Sequence, residues 1–370
     1  MSARPLAQIE AAIAAMADPV EADVLRAERV ALLARSGRVG AARKALPALR
    51  QRHAAHPHTA TAAALAYADA LVDYFSDLSL EARAKLQQAR ALAVSADRPA
   101  LQAQCAAWLA HLDYVHNDRA GVAHHLTLAF SLAAPTQHAV LARASLVAAM
   151  AYHHAGRLDR AQPWYDAARR HAGAEGDTAT ISALIHNMAA LRANQARTEA
   201  VLGDPVAAHE HARFALGNAE SSGYFDDHVG GSALPVLQAV LRAQLFVVQG
   251  RLREALALYD GYLDAALAQG LERMACSLRA EIAWCRLQLG QPDLARAQVA
   301  AAEASFGAHC DLDDVALAHG RLALVHRGLG DEGAAERHGQ LAAGHWRRHR
   351  DEQARSIDLL DAALAGLTPP

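Results

Sequence analysis

Residues Ala243–Leu267 read A-Q-L-F-V-V-Q-G-R-L-R-E-A-L-A-L-Y-D-G-Y-L-D-A-A-L, and their spacing decides the fold. Ala243 stands seven positions before Gly250, Ala255 five after it, and Tyr259 four beyond that. The segment predicts a helix, a tight turn and a second helix. Small residues let the two helices approach at the short end of the roughly 8–10 Å range for packed helices. Glycine at the break accepts the left-handed conformation that ends the first helix. Tyr and Leu positions fill the space between one helix pair and the next.

The same spacing recurs along the chain. Break positions fall at Gly37, Asp77, Asp118, Gly156, Gly203, Gly250, Gly290 and Gly330, with intervals of 40, 41, 38, 47, 47, 40 and 40 residues. Five residues after every break is an alanine: Ala42, Ala82, Ala123, Ala161, Ala208, Ala255, Ala295 and Ala335. Seven residues before the break, six of eight positions are alanine as well (Ala70, Ala149, Ala196, Ala243, Ala283, Ala323). The chain holds 93 alanines in 370 residues, so eight out of eight exceeds what composition supplies.

This grammar resembles the tetratricopeptide repeat, over about residues 20–350. The resemblance implies an all-α fold, a right-handed superhelix of about eight antiparallel helix pairs. The family's usual unit is about 34 residues, so a 40-residue unit adds about one and a half turns. Long units of this kind are similar to the sensor superhelices of bacterial transcription regulators of the maltose-activator type. No helix-turn-helix DNA reader accompanies them here. The expected organisation is an N-terminal capping helix over residues 1–19, a repeat array over 20–350, and a C-terminal capping helix and tail over 351–370.

Composition narrows the functional classes. The chain is 53% apolar and 20% charged, with 5% aromatics. A core of Ala and Leu suits closely packed helices and fits a sheet poorly. A net charge of −3 gives no electrostatic case for nucleic acid or an anionic membrane surface. Cys105, Cys276, Cys285 and Cys310 form no C-x-x-C pair, and the N-terminal stretch has Glu10 within its apolar run. A soluble, cytoplasmic protein without disulfides or a membrane span is expected.

Catalytic and cofactor motifs are missing: there is no G-x-S-x-G, P-loop or G-x-G-x-x-G, and no cofactor is expected. Histidine is abundant at 21 residues. His53, His56 and His58, the pairs His124–His125 and His153–His154, and the i, i+4 pair His345 and His349 could each ligate a metal. So could His309-Cys310-Asp311 with Asp313-Asp314, although aspartates there also suit a helix start. These sets are dispersed, and no metal site is expected from them.

The expected function is a non-catalytic scaffold that binds a protein or peptide segment in a concave groove. The alternative is a regulatory sensor whose groove takes a small-molecule effector. In the repeat family the first helix of each unit lines that groove. The corresponding offsets select Tyr67, Trp108, Arg143, Asn194, Arg197, Gln244, Glu281, Trp284 and Arg321, with Asn187 two turns before Asn194 on the same face. Many family members use an Asn at the Asn194 offset to hold a peptide backbone, since an amide both donates and accepts. The two 47-residue intervals carry extra length of different kinds. One lengthens a helix over Thr178–Leu202; the other is a Gly/Ser/Asp loop over Ser221–Pro235, whose Tyr224, Phe225 and His228 are candidate contacts.

Overall fold

The computed structural model describes residues 3–77, 79, 81–204, 206–217 and 235–370. Its described residues contain no strand. An N-terminal helix α1 (Ala3–Ala15) is followed by helices that pack in sequential pairs. These are α2 (Pro19–Arg35) with α3 (Val39–Ala55), α4 (Thr59–Asp77) with α5 (Glu81–Ser95), α6 (Pro99–Val115) with α7 (Arg119–Leu132), and α8 (His138–His154) with α9 (Leu158–Glu175). Next come α10 (Thr178–Leu202) and α11 (residues 206–217), then α12 (Pro235–Val248) with α13 (Leu252–Ala266). The last pairs are α14 (Ala275–Gln288) with α15 (Pro292–Ala304), and α16 (Leu312–Gly328) with α17 (Glu332–Ala363).

The turns follow from the break residues. Gly37, Gly156, Gly250, Gly290 and Gly330 all have φ between 73 and 83°. At Gly250 this geometry lets Arg251 N–H reach the Phe246 carbonyl at 2.9 Å, which satisfies an acceptor the helix end would otherwise leave bare. Three expected breaks differ. Asp77 is still helical, the last residue of α4. The left-handed residue before α7 is Asn117, with φ 57°, while Asp118 caps α7 by accepting from Gly121 N–H at 2.9 Å. Asn tolerates that conformation because its short amide bonds locally. Gly203 is not left-handed; the turn there is held by Glu199, whose carboxylate accepts from Asp204 N–H at 3.0 Å.

The repeated alanines all sit in the core, and Ala161, Ala255 and Ala295 are 0% exposed. The two helices of a pair are buried differently. In α8, 13 of 17 residues are buried, against 6 of 18 in α9. Likewise 9 of 14 are buried in α14, against 3 of 13 in α15. The first helix of such a pair is buried on most sides, the second on one stripe only. Polar residues on the first helices are therefore taken out of water along with their neighbours.

The chain divides into two compact units. One runs up to Leu184 and includes Arg355–Pro370; the other holds the described residues from Ile185 through Ala354. The lengthened helix over Thr178–Leu202 forms as expected, 25 residues long. The expected separate cap after residue 350 does not: α17 is one unbroken 32-residue helix. No glycine or proline interrupts it between Gly344 and its end, so nothing in the sequence stops the second helix of the last pair. Its final turns belong to the first unit. There Leu360 and Leu364 are buried, and Asp361 accepts from Tyr152 Oη at 2.7 Å and from Arg160 at 2.6 Å.

Candidate binding sites on the buried helices

The second unit gathers most of the sequence-selected residues. Arg197, on α10, is 1% exposed. Its Nε donates to Glu281 Oε1 at 2.7 Å and its Nη2 to Ser277 Oγ at 3.0 Å, both on α14. Ser277 Oγ donates in turn to Asp314 Oδ1 on α16 at 2.5 Å, and Arg197 Nη1 lies 3.6 Å from that oxygen. Tyr259 Oη donates to the second Glu281 oxygen at 2.6 Å. Burial opposes the Arg197 charge, but Glu281 and Asp314 outweigh it and raise its pKa. Burial and the adjacent Asp313 push the Asp314 carboxyl upward. This network closes on itself: its cation is fully engaged.

Asn194 lies one turn before Arg197. Its Nδ2 donates to Asp313 Oδ2 at 2.8 Å, while its Oδ1 is buried with no hydrogen-bond partner. Asn187 is half-buried on the same helix. Gln244, on α12, is buried with Nε2 unpartnered. Arg321, on α16, sets its guanidinium carbon 5.3 Å from the Trp284 ring centre. Its Nε is buried without a partner, and burial lowers its pKa.

The first unit repeats this arrangement. Arg143, on α8, stacks over Trp108 of α6 at 4.1 Å. Trp108 is fixed by edge-on contacts with Tyr74, Phe75 and His111 at 5.9, 5.6 and 5.5 Å. Tyr67, on α4, is buried beside them, and burial pushes its phenol pKa up. Nearby, Arg35 pairs with Asp177, which also accepts from Thr180 N–H and Oγ1. Burial works against ionised Asp177, yet Arg35 and Thr180 outweigh it and hold that carboxyl below its ordinary value. Arg143 has less relief: Asp177 favours its charge but is bonded to Arg35. The Arg143 Nε is an unpartnered buried atom, and burial, with Arg35 close by, depresses the pKa of Arg143 to about 10. At pH 7 it is still a cation.

Each unit thus presents a tryptophan from one buried helix and, from the next buried helix, an arginine with no ion pair among the described residues. The quasi-equivalence follows from the repeat: 35 residues separate Trp108 from Arg143, and 37 separate Trp284 from Arg321. The sequence offsets found these four residues but placed them on an open wall. They are instead largely buried, because the helices carrying them are packed on most sides. Offsets alone missed Arg35, Asp177, Ser277 and Asp314; Asp314 enters the sequence reading only as a candidate metal ligand or helix-start residue. Tyr224, Phe225 and His228 lie outside the described residues.

In the candidate histidine pairs the members take separate hydrogen-bond or stacking partners, although the His124 and His125 rings meet edge-on at 4.9 Å. His125 Nδ1 meets Asp113 at 2.6 Å, and His153 Nδ1 meets Tyr165 Oη at 3.0 Å. His345 stacks on His319 while His349 stacks on Trp346. No described helix is long and apolar enough to cross a membrane. Neither a family model nor any curated protein sequence matches this chain.

Proposed function

We propose that this chain is a non-catalytic, tetratricopeptide-like sensor module that takes a small anionic effector against its Trp–Arg pairs. The observation that carries this reading is the pair of buried arginines, Arg143 and Arg321, that have no carboxylate partner among the described residues. Removing a charge from water costs several kcal/mol unless it is paired. A tryptophan face returns only about 2 kcal/mol when desolvated. A carboxylate or phosphate at the guanidinium would offset the remainder through charge-assisted, two-pronged hydrogen bonds. Burial favours a small ligand over an extended peptide. Tyr67, Trp108, Arg143, Arg197, Gln244, Glu281 and Arg321 are all at or below 5% exposed, leaving little wall on which a peptide backbone could lie.

The peptide-scaffold reading keeps one specific support: Asn194 Oδ1, an unpartnered acceptor that a peptide N–H would satisfy. A thermal-shift screen separates the two, using small carboxylates, phosphates and short acidic peptides on the wild type, Arg143→Met and Arg321→Met. The effector reading expects a small anion to raise the wild-type melting temperature and to lose that effect in at least one arginine variant. The ligand-free Arg143→Met protein should melt no lower than wild type, since it no longer buries an unpaired charge. An equal response in wild type and both variants, or a response to peptides alone, would sink it.

A further inference from the structure

A second constellation lies apart from the Trp–Arg pairs, where α15, α16 and α17 come together in the second unit. Glu303 stands at the end of α15, His326 near the end of α16, and His338 in the second turn of α17. His338 Nε2 is 3.3 Å from Glu303 Oε1, and His326 Nε2 is 3.9 Å from the same oxygen. One ligand atom from each residue lies within 4.8 Å of the others. The two imidazoles are nearly parallel, 14° apart with centres separated by 5.2 Å, so both direct Nε2 at one carboxylate.

Three features distinguish this from an ordinary polar cluster. The first is spacing. A tetrahedral ion with bonds of about 2.0–2.1 Å places neighbouring ligand atoms about 3.3 Å apart. One separation already has that value, and small side-chain rotations would bring in the others. The second is the outer contacts. His338 Nδ1 is hydrogen-bonded to His319 Nδ1 at 2.9 Å, and His326 Nδ1 faces Asp331 Oδ2 at 3.7 Å. Metal-binding histidines are oriented through the far ring nitrogen in this way. The third is the orphan: His326 Nε2 is buried with no hydrogen-bond partner. A simple hydrogen-bonded cluster accounts for the His338–Glu303 contact and leaves that nitrogen bare.

We propose that Glu303, His326 and His338 bind one divalent transition-metal ion. Two imidazole nitrogens and a carboxylate oxygen suit zinc, and also nickel or ferrous iron. Three protein ligands leave a fourth position for water, the open arrangement of exchangeable or reactive zinc rather than of closed structural sites. Glu303 is half-exposed, so an ion reaches the site from solvent. Because the ligands come from three successive helices, binding ties these helices together and adds its free energy to their packing.

The test uses the full chain, freed of metal by chelator and dialysis, with zinc titrated calorimetrically and melting temperature followed in parallel. Wild type should bind one zinc per chain and melt higher with it. Glu303→Gln, at a half-exposed position that leaves the core intact, and His326→Ala should each weaken zinc by roughly 100-fold or more. His319→Ala, which removes the orienting contact to His338 together with the ring's packing on Phe306 and His345, should weaken it by about 10–100-fold. Circular dichroism of Glu303→Gln separates loss of the site from loss of the fold. His124→Ala, which removes none of the three ligands, should bind as wild type does. Absence of stoichiometric binding in wild type, or binding that Glu303→Gln and His326→Ala leave unchanged, overturns the assignment.

Discussion

Arg143 and Arg197 are both buried and stand in opposite relations to their surroundings. Arg197 is enclosed by Glu281, Ser277 and Asp314, whereas Arg143 has a tryptophan face and no carboxylate bonded to it. Truncating Arg197→Ala would strand two buried carboxylates and cost about 3–5 kcal/mol, the range for breaking a buried ion pair from one side. Urea denaturation of the variant measures this. A loss under about 1 kcal/mol would mean that the network behaves like a surface pair. The contrast between the two arginines divides structural from available charge. It also explains why Arg143, and not Arg197, is the residue on which a ligand reading rests.

The alternation of a nearly enclosed helix with a half-exposed one depends on the alanines at the crossing points. Ala255 is 0% exposed in a cluster with Leu245, Tyr259 and Leu278. With no side chain beyond Cβ, it sets how closely α12 and α13 approach. Ala255→Leu should overpack that contact and cost about 1–3 kcal/mol. A melting temperature unchanged by the substitution would show that the contact has slack. These alanines were readable from sequence because they recur at one distance from each break. The depth of the first helices was less readable. Arg, Gln and Glu flank several of these alanines, as Gln195 and Arg197 do Ala196 or Arg242 and Gln244 do Ala243, and suggest a wetted face until a third helix is seen to cover it.

Across the whole molecule, contact with sequence neighbours is not the only organising rule. Residues 355–370 pack within the first unit, more than 200 positions from the residues they bond. A chain ending at Ala354 would lose the burial of Leu360 and Leu364 and both hydrogen bonds to Asp361. Amide hydrogen exchange should then speed up in α7–α9 while α14–α16 keep their protection. Unchanged protection in α7–α9 would show that the segment adds nothing to the unit. The end of the chain was expected to cap its own last repeat. It instead continues α17 without a break, since the residues from Trp346 to Leu364 contain neither a stop signal nor a turn.

The sequence alone determined the all-helical class, the helix pairing and most of the turns. Each depends on residues within about ten positions: a glycine or asparagine at the break, alanines at fixed distances, and an uninterrupted helical run at Thr178–Leu202. Tertiary structure decided what the polar residues do. Arg197 meets Glu281 across 84 positions, and the Asn194 amide meets Asp313 across 119. Whether such a side chain faces water, a carboxylate or nothing depends on how distant helices pack, and no local spacing encodes that. Glu303, His326 and His338 show the same limit. They match no ligand motif along the chain, and only the packing of three helices brings their nitrogens and oxygen to within 4.8 Å.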